Sequence, residues 1–145
     1  MHPSCRRLLL ILAALPAAAS AAAPQPGLYT VTLQLVMPRT ALQLPVRAHR
    51  LCLTADEIAY GSAYAVSETG RFCAISQFQQ HGDSVRYDFV CDTAGPARMV
   101  GHAEGRRDAS GYAIRMTGRY LPARPGQEDF TQIVRAQRSG DCTPR

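Results

Sequence analysis

Phe72–Cys91, FCAISQFQQHGDSVRYDFVC, is the stretch whose reading decides the fold. His81-Gly82-Asp83 is a turn signal, and Cys73 and Cys91 lie equally far from Gly82 on either side. A three-residue loop containing glycine is a common hairpin connection, and it sets the two cysteines opposite each other. Side chains alternate between faces along a strand, so the register can be followed outward. Ile75 then faces Phe89, Gln77 faces Tyr87 and Gln79 faces Val85. On the other face Phe78 meets Arg86 and Ser76 meets Asp88, both reasonable cross-strand pairs. The stretch therefore reads as a β-hairpin closed by its own disulfide.

Outward from the hairpin, the other cysteines fix the compartment. Arg6 and Arg7, the apolar run Leu8–Leu15 and the small residues Ala17–Ala23 form an export signal. The expected boundary puts a signal peptide at residues 1–22, cut after Ala21 or Ala22, and one disulfide-braced β domain at 23–145. The apolar run is shorter than the roughly 20 residues of a spanning helix, so no transmembrane segment remains after cleavage. Cys5 leaves with the leader. The even set Cys52, Cys73, Cys91 and Cys142 implies disulfides, with three possible connectivities. Pairing Cys73 with Cys91 leaves Cys52 for Cys142. No two cysteines have close metal-ligand spacing, which argues against zinc. The location expected is periplasmic or secreted.

The remaining domain supplies more strands. Leu28–Met37 alternates apolar and polar residues, as a half-buried strand does. In residues 42–53, Leu42, Leu44, Val46, Ala48 and Cys52 are expected on the core face, with Gln43, Arg47 and His49 outward; Pro45 marks an edge or a bulge. Thr54 and Glu57 form a capping-box pattern, so one helical turn is expected over 55–60. Residues 61–70 read as a loop. Residues 97–106 and 111–121 read as a second hairpin, with Ala103 opposite Ile114, Gly101 opposite Met116, Gly105 opposite Tyr112 and Met99 opposite Gly118. Asp129–Arg138 is the last strand. The sum is an all-β domain, an antiparallel meander of about seven strands curled into a barrel or half-barrel, with one short helical turn and two disulfides. A two-sheet sandwich is the other arrangement these strands allow.

Pro26-Gly27-Leu28-Tyr29-Thr30-Val31-Thr32, Arg50-Leu51-Cys52-Leu53-Thr54, Cys73, Cys91 and the closing Gly140-Asp141-Cys142 follow an export signal. With these features the chain resembles the bacterial exported family catalogued as domain of unknown function 3617. That family often has Trp where this chain has Tyr29. It carries no established activity, so the resemblance implies an envelope location and no catalytic residues.

Chemistry has little to stand on in the residues. The formal net charge is +5, carried by arginine alone since the chain has no lysine, and removal of the leader takes two of those arginines. That is well short of a nucleic-acid-binding tail. His81 is in the turn, and His49 and His102 are expected on outward faces of separate strands, so no metal or other cofactor is expected and no enzyme is indicated. One constellation is a weak anion-binding candidate. Arg98, His102 and Arg106 share a strand face, Arg115 and Arg119 share the next, and Arg135 joins from the last strand. Guanidinium groups grip carboxylate or phosphate bidentately, so the partner would be an anionic lipid headgroup, a glycan or an acidic protein. A solvated face, with Glu104 and Asp129 offsetting the charge, is the blander account.

Three function classes follow. The first is a non-catalytic binding module holding a small apolar or anionic envelope ligand, the apolar one in a cavity lined by residues such as Leu33, Phe89, Ile114 and Met116. The second is a protein-protein module, such as an inhibitor of an envelope enzyme, presenting residues 60–70 or 122–127 as rigid loops over a filled interior. The third, an enzyme, stands well behind.

Overall fold

The structure is a computed structural model that describes residues 22–143 except 124 and 127. The expected export signal therefore lies almost wholly outside the described residues. Eight strands form one antiparallel sheet: β1 (Gly27–Met37), β2 (Leu42–Gln43), β3 (Arg47–Leu53), β4 (Ala74–His81), β5 (Ser84–Asp92), β6 (Arg98–Asp108), β7 (Gly111–Leu121) and β8 (Asp129–Gly140). Their order is β2-β1-β8-β7-β6-β5-β4, with β3 pairing β1 beside β2. The sheet is an open half-barrel, with no strand ladder joining the β3 edge to the β4 edge. Alternation in β1 places Tyr29, Val31, Leu33, Leu35 and Met37 in the core, as their spacing demands. Both disulfides join the expected partners, Cys73 to Cys91 and Cys52 to Cys142.

The cysteine end of the first hairpin keeps the expected register, with Ile75 opposite Phe89 and Ser76 opposite Asp88. Beyond Ser76 it changes. The loop has two residues, Gly82 and Asp83, because His81 pairs with Ser84 and Gly82 takes the positive φ of +60° that such a turn needs. The loop is one residue shorter than expected, and a bulge at Gln77–Phe78 absorbs the difference. Gln79 therefore faces Arg86 and Gln80 faces Val85, which replaces the expected Gln77–Tyr87, Gln79–Val85 and Phe78–Arg86 pairs. The bulge also turns Phe78 inward, against Tyr64 and Tyr87.

The second hairpin slips by two residues from the expected register. Ala103 faces Met116, Gly101 faces Gly118, Gly105 faces Ile114 and Met99 faces Tyr120. Parity is kept, so every side chain stays on its expected face. The cause is the turn: Asp108 Oδ1 accepts hydrogen bonds from the N–H of Ser110 and of Gly111, at 2.7 and 3.0 Å, and closes a two-residue loop. Pairing glycine with glycine, rather than with a large residue, lets the strands coil tightly. A Cβ on Gly101 would lie 2.0 Å from the Thr117 carbonyl oxygen.

Residues 42–53 break at Pro45 into β2 and β3, and the expected faces of β3 reverse. His49, Leu51 and Leu53 turn toward the core, while Ala48 and Cys52 turn out. Leu42 and Val46, expected inside, are 45% and 59% exposed. The two strands are not one alternating run, so parity does not carry through the proline. The helix α1 (Ala55–Ala59) forms where the capping box places it, with Thr54 and Glu57 exchanging both bonds.

The largest departure is residues 61–70. Instead of a surface loop, this segment makes a 3-10 turn (Ser62–Tyr64) and enters the half-barrel. Ala63, Tyr64, Ala65 and Val66 are wholly buried. The chain returns through a Val66–Phe72 bridge, and Cys73 N–H bonds to the Ala65 carbonyl. The same segment bridges the gap between the sheet edges. Gln80 of β4 donates to the Ala59 carbonyl, and the Phe78 ring lies against Gly61. On the other side the His49 ring of β3 lies against Gly70.

Candidate functional site

Two places on the molecule could hold a ligand: the inside of the curl and the outer face. The inside is occupied by the chain itself. Tyr87 of β5 donates its hydroxyl proton to the Tyr64 carbonyl, and Tyr112 of β7 to the Ala63 carbonyl, each at 2.6 Å. Gln132 of β8 donates to the Val66 carbonyl at 2.8 Å. Three strands thus satisfy three carbonyls of a segment that has no ladder of its own there, as buried backbone groups require. Burial first, and neighbouring tyrosines second, push the Tyr87 and Tyr112 hydroxyls well above the ordinary tyrosine value. Both therefore stay protonated donors. Arg107 donates to the Tyr64 hydroxyl at 3.3 Å from the same end of the curl. The residues expected to line an apolar cavity, Leu33, Phe89, Ile114 and Met116, are all buried core.

The outer face carries a concavity of about 510 Å³ that crosses β4 to β7. Its charged groups stand in two cross-strand rows. Arg86, Glu104 and Arg115 are direct neighbours on β5, β6 and β7. Asp88, His102 and Thr117 form the next row. His102 Nδ1 bonds to Asp88 Oδ1. Gln77 and Gln79 line the concavity from β4. Gln77 is at the bulge and holds a φ of +53°, the left-handed region that disfavours a side chain. Among the described residues, Arg86, Glu104 and Arg115 make no ion pair with one another or with any other group.

The candidate arginines are dispersed by this geometry. Arg98, Arg115, Arg119 and Arg135 do share the outer face. Arg98 pairs with Asp92 at 3.7 Å, and Arg106 with Asp83 at 2.6 Å. Arg119 stands opposite Asp129, which itself pairs with Arg39. Arg135 lies across from Ala113, diagonal to Arg115 on the adjacent strand, but does not line the concavity. Arg98 pairs with Leu121, six residues along β7 from Arg115 and so roughly 20 Å away. Only Arg115 belongs to the concavity. Its real companion, Arg86, was not among the sequence candidates, although alternation already placed it outward. Bringing it to Glu104 required the β5–β6 register, which the turn at 93–97 hides.

The histidines stay apart. His102 is exposed as expected, and His81 is beside the turn. His49 is a correction, since β3 turns it toward the core. No group of three metal-ligating side chains forms among the described residues. Nor is any helix there long and apolar enough to cross a membrane.

These features define a class: a disulfide-braced antiparallel half-barrel plugged by the segment between its two edges. Residues 24–142 match the family model described as Protein of unknown function (DUF3617), and the chain belongs to that family. No curated protein and no solved structure matches it.

Proposed function

We propose that this protein is a non-catalytic, exported binding module that works from the outside of its sheet and takes an anionic ligand there. One observation carries the reading. The space inside the curl is filled by residues 63–67, so an internal apolar ligand has no room. The outer concavity offers two guanidinium groups that no other described residue pairs with. The leader and the two disulfides support an oxidising compartment outside the cytoplasm.

Native mass spectrometry of protein purified from its own envelope tests the reading. A co-purifying small anion that disappears in the charge-reversed Arg115→Glu variant supports it. A ligand that survives that change, or a lipid held by the wild type and lost in Tyr64→Trp, sinks it. A protein-protein module is the second reading, favoured by the exposed apolar side chains Phe72 and Val90 on the β4–β5 side and Leu121 next to the exposed Pro122–Ala123 turn. It would be recognised by a co-purifying polypeptide in place of the anion.

A further inference from the structure

We infer that the concavity across β4 to β7 is a site for an acidic oligosaccharide, with Arg86 and Arg115 holding its carboxylates and Glu104 and Gln77 its hydroxyls. The inference rests on the outer-face reading above and names the ligand class for it.

Charge is arranged here in an unpaired row across three strands. Arg86, Glu104 and Arg115 are adjacent across three strands, yet none is folded onto another. Opposite charges on neighbouring strands ordinarily gain by pairing. Here the backbones of Arg86 and Arg115 stand two strand spacings apart, roughly 10 Å, with Glu104 between them. A single phosphate drawn between the two arginines would lie against the Glu104 carboxylate, which repels its charge. An extended ligand with an acid at each end and neutral donors in the middle matches all three. Sugar hydroxyls are such donors, since they give a proton to a carboxylate and accept from an amide or guanidinium.

The other lining groups fit the same ligand. Gln77 and Gln79 each offer an acceptor and two donors, and Thr117 a hydroxyl. His102 is held by Asp88 through Nδ1, which leaves Nε2 for the ligand. The volume of about 510 Å³ lies in the range of small-molecule sites. The positive φ of Gln77 adds an independent sign. A bulge that strains a non-glycine residue at a sheet edge recurs beside functional sites, where it re-aims a side chain. The lining carries no exposed aromatic ring, so affinity would come from charge-assisted bonds and fall with salt.

Titration calorimetry of the mature protein with tri-galacturonic acid at low ionic strength tests the site. Saturable binding is expected, weakened roughly tenfold or more in Arg86→Gln/Arg115→Gln. A control, Arg98→Gln/Arg119→Gln, removes the same charge further along the same face and should leave binding unchanged. Thermal melts of both variants show whether the fold is kept. Equal loss in the control, equal binding of neutral maltotriose, or no binding of tri-galacturonic acid would each overturn the inference. The failure can be separated from failure of the wider reading. A co-purified anion lost in Arg115→Glu, together with no response to tri-galacturonic acid, leaves the outer-face module standing and removes the oligosaccharide.

Discussion

Tyr112 and Tyr87 show what a single hydroxyl does in this protein. Each reaches from a strand to a carbonyl of the plug that no other described donor is aimed at. Replacing Tyr112 by Phe keeps the ring and strands the Ala63 carbonyl in the core. The expected cost is about 1–3 kcal/mol, read as a lower midpoint in urea unfolding. The outward-facing Thr117→Val should cost much less, which controls for loss of a hydroxyl alone. The same two tyrosines give a pH dependence. In the unfolded chain they titrate near the ordinary value of 10.0, while burial raises them in the fold. The unfolded state therefore releases its protons first. Their contribution is complete below pH 10.0 and falls as pH rises above it. Melting temperature should fall progressively as pH rises above about 10, and the fall should be shallower in Tyr87→Phe/Tyr112→Phe. None of this was visible in the sequence. Tyr87 and Tyr112 were placed on the core face by alternation, but their acceptors lie in a segment whose burial no local pattern announced.

Turns set the register of both hairpins, and each element shows how far a linear reading reaches. Alternation gave the faces of β5, β6 and β7 correctly, because parity survives a slip of two. It failed in β4 beyond Ser76 and in β3, where a bulge and a proline each change parity. The bulge could not be foreseen from Gln77 or Phe78, since it compensates a loop one residue shorter than the symmetric count suggests. The turn of Asp108 is a local determinant that a sequence could carry. Its hydrogen bonds from Ser110, then Gly111, hold the carboxyl below the ordinary range. The disulfides belong to this scale too. Removing Cys73–Cys91, which spans 18 residues, should cost about 3 kcal/mol in a chain-entropy model. Removing Cys52–Cys142, which spans 90, should cost about 4–5 kcal/mol. Paired Cys→Ser variants compared in denaturant would read that order. The opposite order would mean that the short loop owes its effect to holding the hairpin beside the plug.

At the scale of the whole molecule, the plug decides what the half-barrel can be used for. Tyr64 is wholly buried, stacks near Phe78 and meets Tyr112 edge-on. Truncating it to alanine should cost about 3–5 kcal/mol and leave an apolar cavity. If the purified Tyr64→Ala protein takes up xenon or benzene and the wild type does not, the interior is sealed only by that ring. Uptake by both would contradict a filled interior. The sequence by itself carried the strand segments, their antiparallel hairpin linkage and the four cysteines that form the two disulfides. Those follow from side-chain period, turn signals and cysteine number, which are properties of short or countable stretches. Only the tertiary structure decided that residues 61–70 go inside, and that Arg86 joins Glu104 and Arg115 in the concavity while Arg98, Arg119 and Arg135 lie outside it. The physical reason is the same in both cases. The partners of a buried carbonyl or of an outward arginine sit on strands distant in sequence, and the register that unites them is set by turns and bulges of one residue more or less.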